Sequence, residues 1–334
     1  MTQTQTQTQT QTQTERETKA PITAKAGSAG SAAPARPAGS ALHARGLTLA
    51  YDGRTVIEDL DLEIPAGRTT VIVGPNGCGK STVLRGLSRL LRPTSGTVEL
   101  TARAAAATPA ATDAPADVWS LRPKEFARRV ALLPQSPPLP EGITVVDVGR
   151  GRHPHHTLMR RWSDEDDAAV ARAMRATGTI ELADRHVEEL SGGQRQRVWI
   201  ALTLAQETDV VLLDEPTTFL DVAHQIEVLD LLRDLRRRHG TTVVMVLHDL
   251  NLAARYADHV VALRDGRLVA AGPPAEVVTE DFVRRVFGLG SRVVPDPVTG
   301  SPLVVPTSTD HPDEPADASV TPVHPRAAPI GALS

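Results

Sequence analysis

Cysteine is almost missing from this 334-residue chain: Cys78 stands alone, so no internal disulfide can form and a reducing, cytosolic setting is expected. Aromatic residues are only 3% of the chain, so each one that remains is worth placing. No apolar run reaches the roughly 18 residues that cross a bilayer, so any membrane role is expected to run through a partner. No basic-then-apolar leader opens the chain, which fits the same cytosolic expectation. The formal net charge of -4 lacks the basic excess of a nucleic-acid binder, and no nucleic-acid partner is expected. What is present, 40% hydrophobic and 23% charged residues, is the make-up of an ordinary globular protein with a sizeable core.

Low-complexity sequence bounds that core. Thr2 to Thr14 alternates Thr with Gln, and Ala, Gly, Ser and Pro dominate to about Ser40, so residues 1–41 are expected to be a disordered tail. Residues 307–334, rich in Pro and Asp, are expected to be another. The stretch 103–117, mostly Ala with Pro109 and Pro115, reads as a flexible surface insertion, because those prolines oppose one continuous helix.

Between the tails, short β-branched runs alternate with helical patterns. Val71 to Val73, Val130 to Leu133, Val210 to Leu213, Val243 to Leu247 and His259 to Leu263 read as buried strands. Ser81 to Leu91, Asp164 to Thr177, Gln194 to Gln206, His224 to Arg238 and Leu250 to Tyr256 read as helices. The alternation implies an α/β core with a mainly parallel sheet. Leu47 to Tyr51, Val56 to Ile64 and Gly96 to Leu100 add an antiparallel β subdomain.

Two motifs carry chemistry. Gly74-Pro75-Asn76-Gly77-Cys78-Gly79-Lys80-Ser81-Thr82 follows an apolar strand and opens a helix, the context that a P-loop of pattern GxxxxGKS requires. Glycines let consecutive N–H groups point at phosphate oxygens, and the following helix adds its positive end. Lys80 would then face the β- and γ-phosphates, Ser81 would offer a hydroxyl to Mg²⁺, and Thr82 would contact phosphate. Cys78 reads as a spacer, with a redox role as the alternative. The strand Val210 to Leu213 ends in Asp214 and Glu215. Asp214 is expected to hold Mg²⁺ and Glu215 to deprotonate the water that attacks the γ-phosphate; a solvated strand end is the plain alternative.

Leu190-Ser191-Gly192-Gly193-Gln194, between those motifs, resembles the LSGGQ signature of ABC-type ATPases. The resemblance runs from about Leu42 to Pro306 and implies a P-loop NTPase fold with a helical subdomain at about 136–195 carrying the signature. It implies ATP and Mg²⁺ as cofactors, and a head-to-tail dimer in which Ser191, Gly192, Gly193 and Gln194 close over the nucleotide of the second copy. Tyr51 resembles the residue that stacks on adenine. Gln135 resembles the glutamine that touches Mg²⁺ or the attacking water, Asp221 the interfacial aspartate, and His248 the histidine at the γ-phosphate. The plainer alternatives are packing for Tyr51, helix capping for Asp221 and His248, and a loop residue without a role for Gln135. His153, His155 and His156 have the spacing of a metal site, but a polar surface near a partner is the preferred reading.

Leu133-Pro134-Gln135, Thr144 to His155, Thr217 to Asp221 with Ala223-His224-Gln225, and Val294-Pro295-Asp296-Pro297 look like the ATPases of ferric-siderophore importers. Haem and cobalamin importers share much of the pattern. The resemblance thus implies membrane permease subunits as partners, indirectly an extracytoplasmic substrate-binding protein, and a place at the cytoplasmic face of the membrane. A soluble ABC-type switch is the rival class, but the paired cassettes or long coiled coil of such proteins do not appear.

Overall fold

The computed structural model describes residues 40–101, 115–135, 137, 142–152 and 164–307. Strands β1 (Ser40–Tyr51) and β2 (Arg54–Pro65) form an antiparallel hairpin. Asp52 and Gly53 between them both take positive φ, 48° and 81°, the backbone that a tight turn joining right-twisted strands needs. After β3 (Thr69–Val73) and α1 (Lys80–Leu87), β4 (Ser95–Leu100) pairs with the other edge of β1 and with β5 (Ala116–Asp117). The antiparallel sheet therefore has the order β2-β1-β4-β5.

β5 corrects the expectation for 103–117, since the last two residues of that stretch are a strand. Neither Ala116 nor Asp117 has strand propensity. The next residue sets the pairing: Val118 is fully buried and its N–H donates to the Val98 carbonyl. The remainder, 102–114, lies outside the described residues, as do most of both tails. The first described residues already belong to β1, which starts at Ser40, and Thr307 donates to the Gly290 carbonyl.

The second sheet has the order β10-β9-β3-β8-β7-β6, where β6 is Val130–Leu133, β7 Val210–Asp214, β8 Thr242–Val246, β9 His259–Arg264 and β10 Arg267–Gly272. All pairings are parallel except β10 with β9. Every residue of β3, β7 and β8 is buried, as a sheet covered on both faces demands. Alternate residues serve two cores. Val71, Val211, Leu213, Val243 and Met245 pack with the helices, while Ile72, Leu212, Val244 and Val246 pack with α1 and the antiparallel sheet.

The remaining helices are α2 (Pro123–Ala127), α3 (Val145–Arg152), α4 (Asp164–Ala176), α5 (Gly192–Leu204), α6 (Val222–His239), α7 (Leu250–Tyr256), α8 (Pro274–Val277) and α9 (Glu280–Phe287). A hairpin of β11 (Ser291–Pro295) and β12 (Pro302–Pro306) follows. α1 stops at Leu87 rather than Leu91, because Arg89 takes a left-handed φ of 62° that a helix cannot continue through. Within the stretch expected to be a helical subdomain, α3 and α4 pack on α5, and their buried Val145, Val148, Val170 and Met174 are continuous with the sheet's helix-side core. Among the described residues, no helix is long and apolar enough to cross a membrane.

Candidate functional site

The turn after β3 is shaped by backbone that has no room for side chains. Gly74 has φ 151°, and a Cβ there would lie 2.1 Å from the Leu263 carbonyl oxygen. Gly79, at φ 101°, faces Ile57 Cδ1 at 2.5 Å from a would-be Cβ. Lys80 opens α1 almost fully buried, its Nζ donating to the carbonyls of Gly74 and Pro75 at 2.9 Å each, so its charge is held inside the loop. Cys78 is buried, and burial pushes its thiol pKa up. That leaves the thiol protonated and inert, in keeping with a spacer.

α1 packs on β7 and brings Ser81 to the buried Asp214, whose Oδ1 accepts the Ser81 hydroxyl at 2.9 Å. Burial pushes the Asp214 carboxyl above its ordinary range, and the Ser81 hydrogen bond only partly opposes this. A carboxylate and a hydroxyl, both hard oxygen donors and short of water, are a set that a magnesium ion fits. Its charge would offset the cost of keeping Asp214 ionised.

Glu215 follows at φ 54°, a left-handed backbone that costs a non-glycine residue about 1–2 kcal/mol and turns the side chain off the strand line. Three donors hold the carboxylate. His248 Nε2 lies 2.6 Å from Oε1, while Gln135 Nε2 and the Thr218 hydroxyl donate to Oε2 at 2.9 and 3.2 Å. Gln135 comes from the loop after β6 and His248 from the residues after β8, so three neighbouring strands converge here.

A cleft of about 410 Å³ is lined by Val56, Asn76, Gly77, Gly79, Lys80, Ser81, Thr82, Gln135, Glu215 and His248. Asp214 adjoins it through Ser81. Tyr51 is not among these lining residues: it ends β1, where its hydroxyl accepts from Arg85 Nη1 at 2.9 Å. The serine-glycine motif is also elsewhere. Ser191 caps α5 in a reciprocal capping box with Gln194, while Ser191 and Gly192 stay exposed. Beside Gly192 stands Phe219, 77% exposed and at φ 68°; Val222 is 76% exposed. Between them Asp221 caps α6, and hydrogen bonds from the backbone and ring of His224 hold its carboxyl below the usual range. His153, His155 and His156 lie outside the described residues.

Sequence reasoning missed Thr218 and Gln196. Gln196 is a buried polar residue of α5, and it donates to the Pro216 carbonyl, tethering the chain just beyond Glu215. In the sequence Gln196 stands between Arg195 and Arg197, a polar run that gives no hint of its burial.

A phosphate-cradling loop at the end of one parallel strand, and a carboxylate pair at the end of another, define a P-loop nucleotide hydrolase. The family model described as ABC transporter matches residues 57–218. The achromobactin transport ATP-binding protein of Dickeya dadantii is 51% identical over 276 residues, covering 82% of this chain and 98% of that protein. The ferric enterobactin transport ATP-binding protein of Escherichia coli is 52% identical over 261 residues, 78% and 92% of the two chains. Among solved structures, an inward-facing metal-chelate type ABC transporter is matched with TM-score 0.66 at 27% identity, over 81% of this chain and 98% of that one. A dimeric bacterial ABC transporter cassette is matched with TM-score 0.60 at 25% identity, over 70% and 98%. This chain belongs to the ABC transporter ATP-binding family.

Proposed function

We propose that this chain is the ATP-hydrolysing subunit of an importer for ferric siderophores, working at the cytoplasmic face of the membrane with permease subunits and, through them, an extracytoplasmic binding protein. The observation that carries the catalytic part is the Glu215 carboxylate, fixed by Gln135, His248 and Thr218 on the rim of a cleft lined by the phosphate loop. The 51–52% identity to achromobactin and enterobactin transport proteins supports the cargo.

In this reading the loop amides from Gly74 to Thr82 and the Lys80 ammonium bind the triphosphate, and Tyr51 stacks on adenine. Ser81, Asp214 and Gln135 hold magnesium, which when bound neutralises phosphate charge. Glu215 takes the proton of the attacking water, and His248 leaves its contact with Glu215 Oε1 to donate to the γ-phosphate. Ser191 to Gln194 of a second copy supply amides and a helix N-terminus to the same phosphate, with Asp221 at the seam. The exposed Phe219 beside Gly192, and the exposed Val222 next to Asp221 in the chain, support that seam, since large apolar side chains held in solvent mark a surface meant to be covered.

The test is reconstitution of the cassette with its permease and binding protein in vesicles containing MgATP. Uptake of a ferric siderophore is expected, and Glu215→Gln should lower ATP turnover and uptake by about 10² to 10⁴ while leaving ATP affinity intact. Wild-type turnover in that variant would remove the base assignment. Uptake of haem or cobalamin in place of the ferric siderophore would remove the cargo assignment alone.

A further inference from the structure

The catalytic histidine is attached to a part of the chain that the nucleotide reading does not use. His248 precedes Asp249, the N-cap of α7, whose Oδ1 accepts from the N–H groups of Asn251 and Leu252 at 2.8 and 2.9 Å. These bonds fix the first turn of α7 directly behind the histidine. The side chain of Asn251, three residues after His248, then reaches away from the cleft to β12. Its Oδ1 accepts the Val304 N–H at 2.7 Å, and its Nδ2 donates to the Val304 carbonyl at 3.2 Å. A carboxamide presents a donor and an acceptor side by side, as a peptide unit does, so Asn251 acts as one added residue of sheet on the β12 edge.

The hairpin is anchored as well as touched. Val304 is 6% exposed and belongs to the helix-side core, and β12 packs along α7. On the opposite edge the Val293 N–H donates to Glu280 Oε1 at 3.3 Å, tying β11 to α9. With both edges occupied by side chains, the hairpin can shift little unless these contacts change. A break at Val304 would free Asn251 from β12 and leave the α7 turn that follows His248 held by the Asp249 cap alone among these bonds.

We propose that Asn251 is a positioning residue for ATP hydrolysis: by locking the first turn of α7 to the β11–β12 hairpin it holds His248 where it meets Glu215 and, in turn, the γ-phosphate. The proposal rests on the reading of Glu215 and His248 given above. It makes the C-terminal hairpin part of the hydrolytic apparatus, although none of its residues lines the cleft. Misplacing a catalytic group by about 1 Å costs as much as a hundredfold in rate, without disturbing groups that bind ground-state substrate.

The experiment is a double-mutant cycle on the full chain. Asn251→Leu, similar in size and without either hydrogen bond, should lower kcat for ATP by about tenfold to a hundredfold with KM unchanged within twofold. In a His248→Ala background the same substitution should have no further effect, because its target is gone. An equal fold loss in both backgrounds, or a wild-type kcat per folded molecule, overturns the proposal. Should Asn251→Leu not fold, Asn251→Asp keeps the acceptor for the Val304 N–H, sets a carboxylate oxygen against the Val304 carbonyl in place of the donor, and enters the same cycle. Failure of the base reading is separate: it shows as wild-type turnover in Glu215→Gln, whatever the cycle returns.

Discussion

Gly74 and Glu215 both sit at the ends of parallel strands, and in both the backbone is bent so that the chain beyond the strand can face the cleft. At Gly74 the bend is possible only without a Cβ, because the Leu263 carbonyl of the neighbouring strand occupies that space. Gly74→Ala should therefore destabilise the fold by about 3 kcal/mol, measured by urea unfolding, and weaken ATP binding with it. A change within about 0.5 kcal/mol would show that the loop can move aside at no cost. Residues of this kind were legible in the sequence, because a phosphate cradle fixes its glycines, lysine and hydroxyl at a set local spacing. Glu215 was legible for the same reason, as the second carboxylate after an apolar run. Its clamp was not. Thr218, Gln196 and Asn251 act through partners distant in sequence or set by a turn, and a lone threonine, glutamine or asparagine announces nothing.

At the scale of elements, the parallel strands were legible because each is a short apolar run, mostly buried, and too short for a helix. Errors gathered where nonlocal contact decides. Arg89 ends α1 early by its φ, and β5 exists because Val118 is buried beside Val98, not because Ala116 and Asp117 prefer a strand. The start of β9 gives a pH prediction. His259 is half-buried there; burial first, and then the charge of Arg68, lower its pKa below the ordinary 6.5. The unfolded chain thus binds its proton more readily than the folded one, so stability rises with pH in that window. His259 contributes stability that is present above pH 6.5 and lost as the pH falls through its lower folded value. The midpoint of thermal unfolding should fall on acidification below pH 6.5, and less so in His259→Gln. Parallel profiles for the two proteins would rule out this contribution.

For the whole molecule, one chain carries a phosphate loop in its cleft and a serine-glycine helix tip outside it, beside the exposed Phe219. A second copy turned head to tail would bring each tip to the other's nucleotide, and ATP would become part of the interface. The sequence carried both halves of this arrangement, but not the exposure of Phe219 or its left-handed backbone. Sedimentation of Glu215→Gln with saturating MgATP tests the arrangement most directly. A dimer retaining two ATP molecules, lost on adding Ser191→Arg, is the expected result; a monomer with ATP bound, or a dimer indifferent to Ser191→Arg, would contradict it.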